Sequence, residues 1–270
     1  MKISKALSHV FERPCSTVET NTQMNVALLL LGFHEVDALP IEIGSNTFSR
    51  KYVVSSHACL SKLLEADTSE YPKLLVQPCE KASVELASVS ASGEIDTLLR
   101  TFTSTGFGFA CIESGSELRG LVSLRDLLLL YQKSTFKTDL SVKDVASFPI
   151  LALSKETSLR ETLERMFRKK VRRILVSENG KVVSDREIIK HLFSASRLAE
   201  TSKDSSALID TKLGHVKGVQ PISVGSNIPV TSAALELYSS LGGCLTCDDG
   251  IITPWDIVMK PWAKGELDIS

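Results

Sequence analysis

Three segments place a hydroxyl and a carboxylate three residues apart just after an apolar run. They are Gly120-Leu121-Val122-Ser123-Leu124-Arg125-Asp126, Lys181-Val182-Val183-Ser184-Asp185-Arg186-Glu187 and Gly250-Ile251-Ile252-Thr253-Pro254-Trp255-Asp256. A fourth, Tyr52-Val53-Val54-Ser55-Ser56-His57-Ala58, keeps the hydroxyl but has Ala58 where the acid stands in the others. A strand that ends in Ser or Thr and opens directly into a helix turns free backbone N–H groups and the positive end of the helix dipole toward one point. Phosphate oxygens are favoured there. The hydroxyl adds a donor, and an acid one helical turn on can accept hydrogen bonds from a sugar diol. The same spacing is also the helix capping box, in which hydroxyl and carboxylate satisfy the first N–H groups of the helix and no ligand is needed. Both chemistries can hold at one corner.

Positive charge concentrates in Arg165-Met166-Phe167-Arg168-Lys169-Lys170-Val171-Arg172-Arg173. Such a run serves either a helix C-terminus and a solvated face, or a phosphate, whose oxygens match the guanidinium fork of Arg172 or Arg173. Arg125, Arg186 and His57 lie between hydroxyl and acid positions and are open to the same two readings. Other constellations carry less. Cys244-Leu245-Thr246-Cys247 has the C-x-x-C spacing, but no second pair of Cys or His completes four zinc ligands, and positions i and i+3 of a strand face opposite sides. The five histidines show no H-E-x-x-H spacing, and no G-x-S-x-G elbow, P-loop or G-x-G-x-x-G occurs; Gly106-Phe107-Gly108-Phe109 has neither the Lys nor the helix start such loops need. No catalytic or metal-binding residues are expected.

The elements that position the corners recur with them. The hydroxyls at 55, 123, 184 and 253 are 68, 61 and 69 positions apart, a supersecondary period. Upstream of each, apolar residues at spacings of three and four predict a helix: Met24, Ala27, Leu28, Leu31; Ile95, Leu98, Leu99, Phe102; Leu159, Leu163, Met166, Phe167; Ala233, Ala234, Leu237, Tyr238. A short strand and a turn follow in three of them, as in Gly108 to Ile112, Arg173 to Val176 and Cys244 to Cys247. A second apolar helix comes after each corner. The unit reads strand, helix, strand, turn, strand, helix. Short segments around Ile3–Leu7, Val142–Val145 and Lys212–Val216 precede a Pro, at Pro14, Pro149 and Pro221, as expected where an edge strand begins. Stretches 65–82 and 194–210 lack periodicity and read as linkers, and 133–140 separates two halves, so repeats are expected to pair first with second and third with fourth.

The chain has 270 residues, 43% of them hydrophobic and 23% charged, enough for a sizeable core. A formal net charge of -1, from 31 basic and 32 acidic residues, argues against a duplex-binding face. The apolar run Val26 to Phe33 is far short of the ~20 residues a membrane span needs. Six scattered cysteines and an N-terminus without an apolar signal core lead us to expect reduced thiols and a cytoplasmic protein.

The repeat resembles the cystathionine-β-synthase (CBS) domain family, whose signature of Gly, two apolar residues, Ser or Thr, two spacers and Asp is matched in full by Gly120 to Asp126 and Gly250 to Asp256. Repeat three carries Lys181 for Gly and Glu187 for Asp; repeat one departs further with Ala58. Four copies in one chain resemble the γ-subunit type of AMP-activated protein kinase and its archaeal relatives. The resemblance implies a mixed α/β fold of four tandem repeats in two Bateman modules, able to close into a disc-like assembly. These are 1–135 (repeats about 1–66 and 82–135) and 136–270 (repeats about 138–195 and 211–262). It also implies a non-catalytic regulatory protein whose clefts bind AMP, ADP or ATP, or S-adenosylmethionine, acting on an unidentified protein or as a homodimer. By this resemblance Asp126, Asp256 and Glu187 are ribose ligands, and Ser123, Ser184, Thr253, Arg172, Arg173 and Arg125 are phosphate ligands. The alternative is an interaction scaffold with decayed sites.

Overall fold

A computed structural model describes residues 1–13, 15–34, 36–43, 47–115, 117–194, 196, 197, 200 and 208–270. The strand-helix-strand-turn-strand-helix unit is present four times. In each, a short first strand lies parallel to a second across the intervening helix, and the second forms an antiparallel hairpin with the third. Val18–Glu19 pairs with Ala38–Ile43 and that with Thr47–Ser55; Ser88–Ser90 with Phe109–Ser114 and that with Glu117–Ser123. Ala152–Leu153 pairs with Arg173–Val176 and that with Val182–Ser184; Ile222–Ser223 with Leu245–Cys247 and that with Gly250–Ile252. In repeats two and three the chain reverses from first helix to second strand through a left-handed residue where that helix ends. Gly106 adopts φ 70° there in repeat two, which costs it nothing, and Lys170 adopts φ 53° in repeat three.

Compactness cuts across the order of the repeats. One unit comprises Met1–Cys15, Leu86–Ile150 and Pro221–Ser270, the other Ser16–Glu85 and Leu151–Gln220. The first gathers the helices of repeats two and four, the second those of repeats one and three. These differ from the sequential halves 1–135 and 136–270, and helix packing is the reason. In the first unit Leu98, Leu99, Phe102, Leu127, Leu128, Ala233, Leu237, Ile257 and Val258 share one buried cluster; in the second Leu28, Leu31, Leu60, Leu63, Leu159, Leu163, Ile188 and Leu192 share another. An amphipathic helix has one apolar stripe, and each stripe is spent on helices from a repeat that is not its sequence neighbour.

The segment that precedes each repeat packs on a sequence neighbour: first on second, second on first, third on fourth and fourth on third. In the first unit Ile3 donates its N–H to Gly93 O at 2.8 Å, and Ser147 and Ile251 exchange backbone hydrogen bonds. In the second, Ser83–Glu85 adds a strand beside Thr47–Ser55, and Val182 and Val219 exchange bonds. Stretch 65–82 is not a bare linker: it holds helical turns at Thr68–Glu70, Tyr71–Leu75 and Cys79–Ala82, pinned by a fully buried Tyr71. Residue 14 and much of 194–210, the second expected linker, lie outside the described residues. No helix among the described residues is long and apolar enough to cross a membrane.

Candidate functional site

Each corner forms as the residue pattern requires: the apolar strand ends, the hydroxyl residue takes an extended φ and ψ, and the next residue starts a helix. The carboxylates, open from sequence to a sugar diol or to a capping box, are folded back on their own helix starts. At repeat two, Ser123 donates its backbone N–H (2.7 Å) and its hydroxyl (2.8 Å) to Asp126 Oδ2. At repeat four, Thr253 does the same to Asp256 Oδ2 at 2.8 and 2.7 Å. At repeat three, Ser184 donates its N–H (3.0 Å) and its hydroxyl to Glu187 Oε2. All three are capping boxes, for a physical reason: the groups that would greet a phosphate and a ribose are one turn apart, so they satisfy each other first. Repeat one has no acid, and Ser55 Oγ accepts the N–H of Ala58 at 3.1 Å.

The other oxygen of each Asp is also engaged, by residues that sequence reasoning missed. Asp126, 5% exposed, receives a two-armed Arg13: Nη1 to Oδ1 at 2.7 Å and Nη2 to Oδ2 at 3.0 Å. Asp256, 3% exposed, has Oδ1 held by Ser147 Oγ at 2.7 Å and Lys260 Nζ at 2.8 Å. Lys260 also donates to Val145 O and Ala146 O, tying the helix Pro254–Ala263 to the segment before repeat three. Arg125, expected at phosphate, lies elsewhere: Nη2 donates to Tyr238 O at 2.8 Å and the guanidinium stands 5.7 Å over the Tyr238 ring.

The second unit brings the expected arginines together. Arg172 Nε donates to Asp185 Oδ2 at 2.8 Å, Arg172 Nη2 to Asp37 Oδ1 at 3.0 Å, and Arg186 Nη2 to the same Asp37 Oδ1 at 3.1 Å. Arg173 starts the strand that pairs with the third strand of the repeat, directly opposite Ser184. Repeat three thus places two guanidiniums on one oxygen beside the start of the helix Asp185–Leu192. Burial alone would raise the pKa of Asp37, but attraction from Arg172, then Arg186 and Arg173, outweighs it and holds the carboxyl well below the usual range. Burial works against the charge of Arg172 too, and the carboxylates of Asp185 and Asp37 reverse that and raise its pKa. Asp185 follows the hydroxyl directly and could have been flagged from sequence. Asp37 stands just before a strand with no pattern around it and could not. His57, on the next helix start, sits edge-on to Phe167 with centroids 4.5 Å apart. Cys244 and Cys247 are buried and not joined in a disulfide, and no group of three His, Cys, Asp or Glu suited to a metal occurs among the described residues.

A CBS-domain family model matches residues 142–194, the segment that carries Arg172, Ser184, Asp185, Arg186 and Glu187. No curated protein matches the chain. Among solved structures, it is similar to protein MJ1225 from Methanocaldococcus jannaschii, a proposed archaeal homologue of g-AMPK, with TM-score 0.82 and 17% identity over 95% of this chain and 98% of that one. It is also similar to an uncharacterized conserved protein from Pyrococcus horikoshii, with TM-score 0.57 and 10% identity over 95% and 98% of the two chains. Residues 142–194 therefore match the CBS-domain family, in a chain whose whole length shares the fold of MJ1225.

Proposed function

We propose that the chain is a non-catalytic regulatory protein that binds an adenine nucleotide, and that repeat three holds the primary site. The observation that carries this is the convergence of Arg172 and Arg186 on a single oxygen of Asp37, 3.0 and 3.1 Å away, next to the Ser184 helix start. Two guanidiniums converging on one oxygen beside a helix N-terminus form the donor set of a phosphate site, with a carboxylate standing in for the phosphate. Asp37 keeps 26% of its side-chain surface exposed and Asp185 only 7%, so an entering phosphate displaces Asp37. Ser184 and Arg173 complete the phosphate side and Glu187 takes the ribose. The corners of repeats two and four, with Ser123, Asp126, Thr253 and Asp256, are secondary sites. Ligand occupancy then biases contact with a regulated protein or a second copy, through different affinity in the two contact states.

Calorimetry on nucleotide-stripped protein tests this. Heat of binding is expected for at least one of AMP, ADP, ATP or S-adenosylmethionine, and a loss of at least tenfold in affinity in Arg186→Gln. Absence of heat for all four overturns the reading. The closed network around Asp256 favours a second reading, an interaction scaffold in which that carboxylate is structural; it predicts that no nucleotide alters partner affinity.

A further inference from the structure

The two Asp corners of the first unit are closed in different ways, and the difference has regulatory content. At repeat four the closing cation is internal. Lys260 lies on the same helix as Asp256 and spends its remaining donors on Val145 O, Ala146 O and Ser147 Oγ, so it cannot leave without breaking the packing of the lead-in segment. At repeat two the closing cation comes from the chain terminus. Arg13 follows the short helix Ser8–Glu12, keeps 48% of its side-chain surface exposed, and bridges the two sides of the corner by donating to Leu121 O on the strand (2.8 Å) and to Asp126 on the helix. Gly120 makes room for this strap: a Cβ there would stand 3.2 Å from both Val10 O and Val10 Cγ1.

The capping bonds at this corner use only Oδ2, so Arg13 is what occupies Oδ1. We propose that residues 8–13 are an autoinhibitory strap, and that Arg13 must swing away before the repeat-two corner accepts the diol of a nucleotide. This rests on the reading of the repeats as adenine-nucleotide sites. A site that is competent only when a contact opens binds more weakly by the fraction of time it is open. A half-exposed guanidinium is screened by water and salt, so the Arg13 side chain can swing out while the fully buried Val10 keeps the short helix in place, and its bidentate geometry makes closure the resting state. On this reading the repeat-two corner is gated by a residue of another segment, while the repeat-four corner carries its closing cation on its own helix.

The test is calorimetry with each of AMP, ADP, ATP and S-adenosylmethionine on wild type, Arg13→Gln, Arg186→Gln and the double variant Arg13→Gln/Arg186→Gln. The expected result is tighter binding or an added equivalent in Arg13→Gln, on the order of tenfold in affinity, surviving in the double variant and removed by Asp126→Asn. Arg13→Lys, which keeps the charge but loses the fork, is expected to fall between. Binding in wild type that Arg186→Gln weakens and Arg13→Gln leaves unchanged overturns the strap and keeps the repeat-three site. Binding seen only once Arg13 is replaced overturns the repeat-three site and keeps the strap. No heat in any variant overturns both.

Discussion

Replacing Tyr131 by Phe removes a single oxygen, and its cost is set by a proline on another helix. Tyr131 lies on the helix Leu124–Gln132 and is 5% exposed; its hydroxyl donates to the carbonyl of Ile257 at 2.7 Å. In the helix Pro254–Ala263 that carbonyl would ordinarily accept the N–H four residues on, but residue 261 is Pro and has none. The Tyr131 hydroxyl therefore supplies the donor the helix lacks, at a buried position. Phe keeps the ring and its edge-on contact with Phe136, 5.4 Å between centroids, so packing is conserved and only the hydrogen bond is lost. Leaving a buried carbonyl unsatisfied costs about 1–3 kcal/mol, and taking the middle of that range lowers Tm by roughly 4–8 °C for a chain of this size. Chemical denaturation of wild type, Tyr131→Phe, Pro261→Ala and the double variant measures it. Pro261→Ala restores a backbone N–H within the helix, so Tyr131→Phe is expected to cost less than about 0.5 kcal/mol in that background, a coupling of over 1 kcal/mol. The same loss in both backgrounds, or a neutral Tyr131→Phe, would refute the reasoning.

Two further outcomes follow from charge. Asp37→Asn leaves Arg172 and Arg186 facing one another with a weaker acceptor between them, so stability is expected to fall by about 2 kcal/mol at low salt, less at high salt, while pyrophosphate stabilises the variant more than wild type. Unchanged stability together with unchanged pyrophosphate binding removes Asp37 as a phosphate stand-in. His9 and His191 carry ring nitrogens that are buried without a hydrogen-bond partner among the described residues, and burial holds both below their usual pKa. Between those depressed values and about 6.5 the unfolded chain binds more protons than the folded one, so stability is full above that window and is lost on acidification through it. Denaturation midpoints from pH 7.5 to 5 are expected to fall, with a shallower slope in His191→Gln; an identical slope would set the histidine account aside.

Local order at the corners was written in the residues. Hydroxyl positions 55, 123, 184 and 253 each end a strand and open a helix, and the apolar spacing predicts the helices Met24–His34, Ile95–Thr105, Leu159–Lys169 and Val230–Ser239. These features depend on neighbours within four residues, where pattern and backbone geometry determine each other. The capping boxes were legible for the same reason, because Ser123 and Asp126 can meet without help from the rest of the chain.

What lay beyond the sequence was every partner brought in from a distance. Arg13 meets Asp126 across 113 positions, Ser147 meets Asp256 across 109, and Arg172 meets Asp37 across 135. Nothing in the composition around Arg13 or Asp37 marks them, since a surface arginine and a charge-relay arginine look alike until the chain has folded. The same holds for the grouping of repeats: four similar apolar stripes can pair in several ways, and only the packing of helices from distant repeats into shared cores selects first with third and second with fourth. Short-range spacing determined that this protein has four hydroxyl-led helix starts, three of them with an acid one turn on. Tertiary packing decided which distant partner meets each buried charge, because a buried charge must find an opposite charge wherever in the chain it lies.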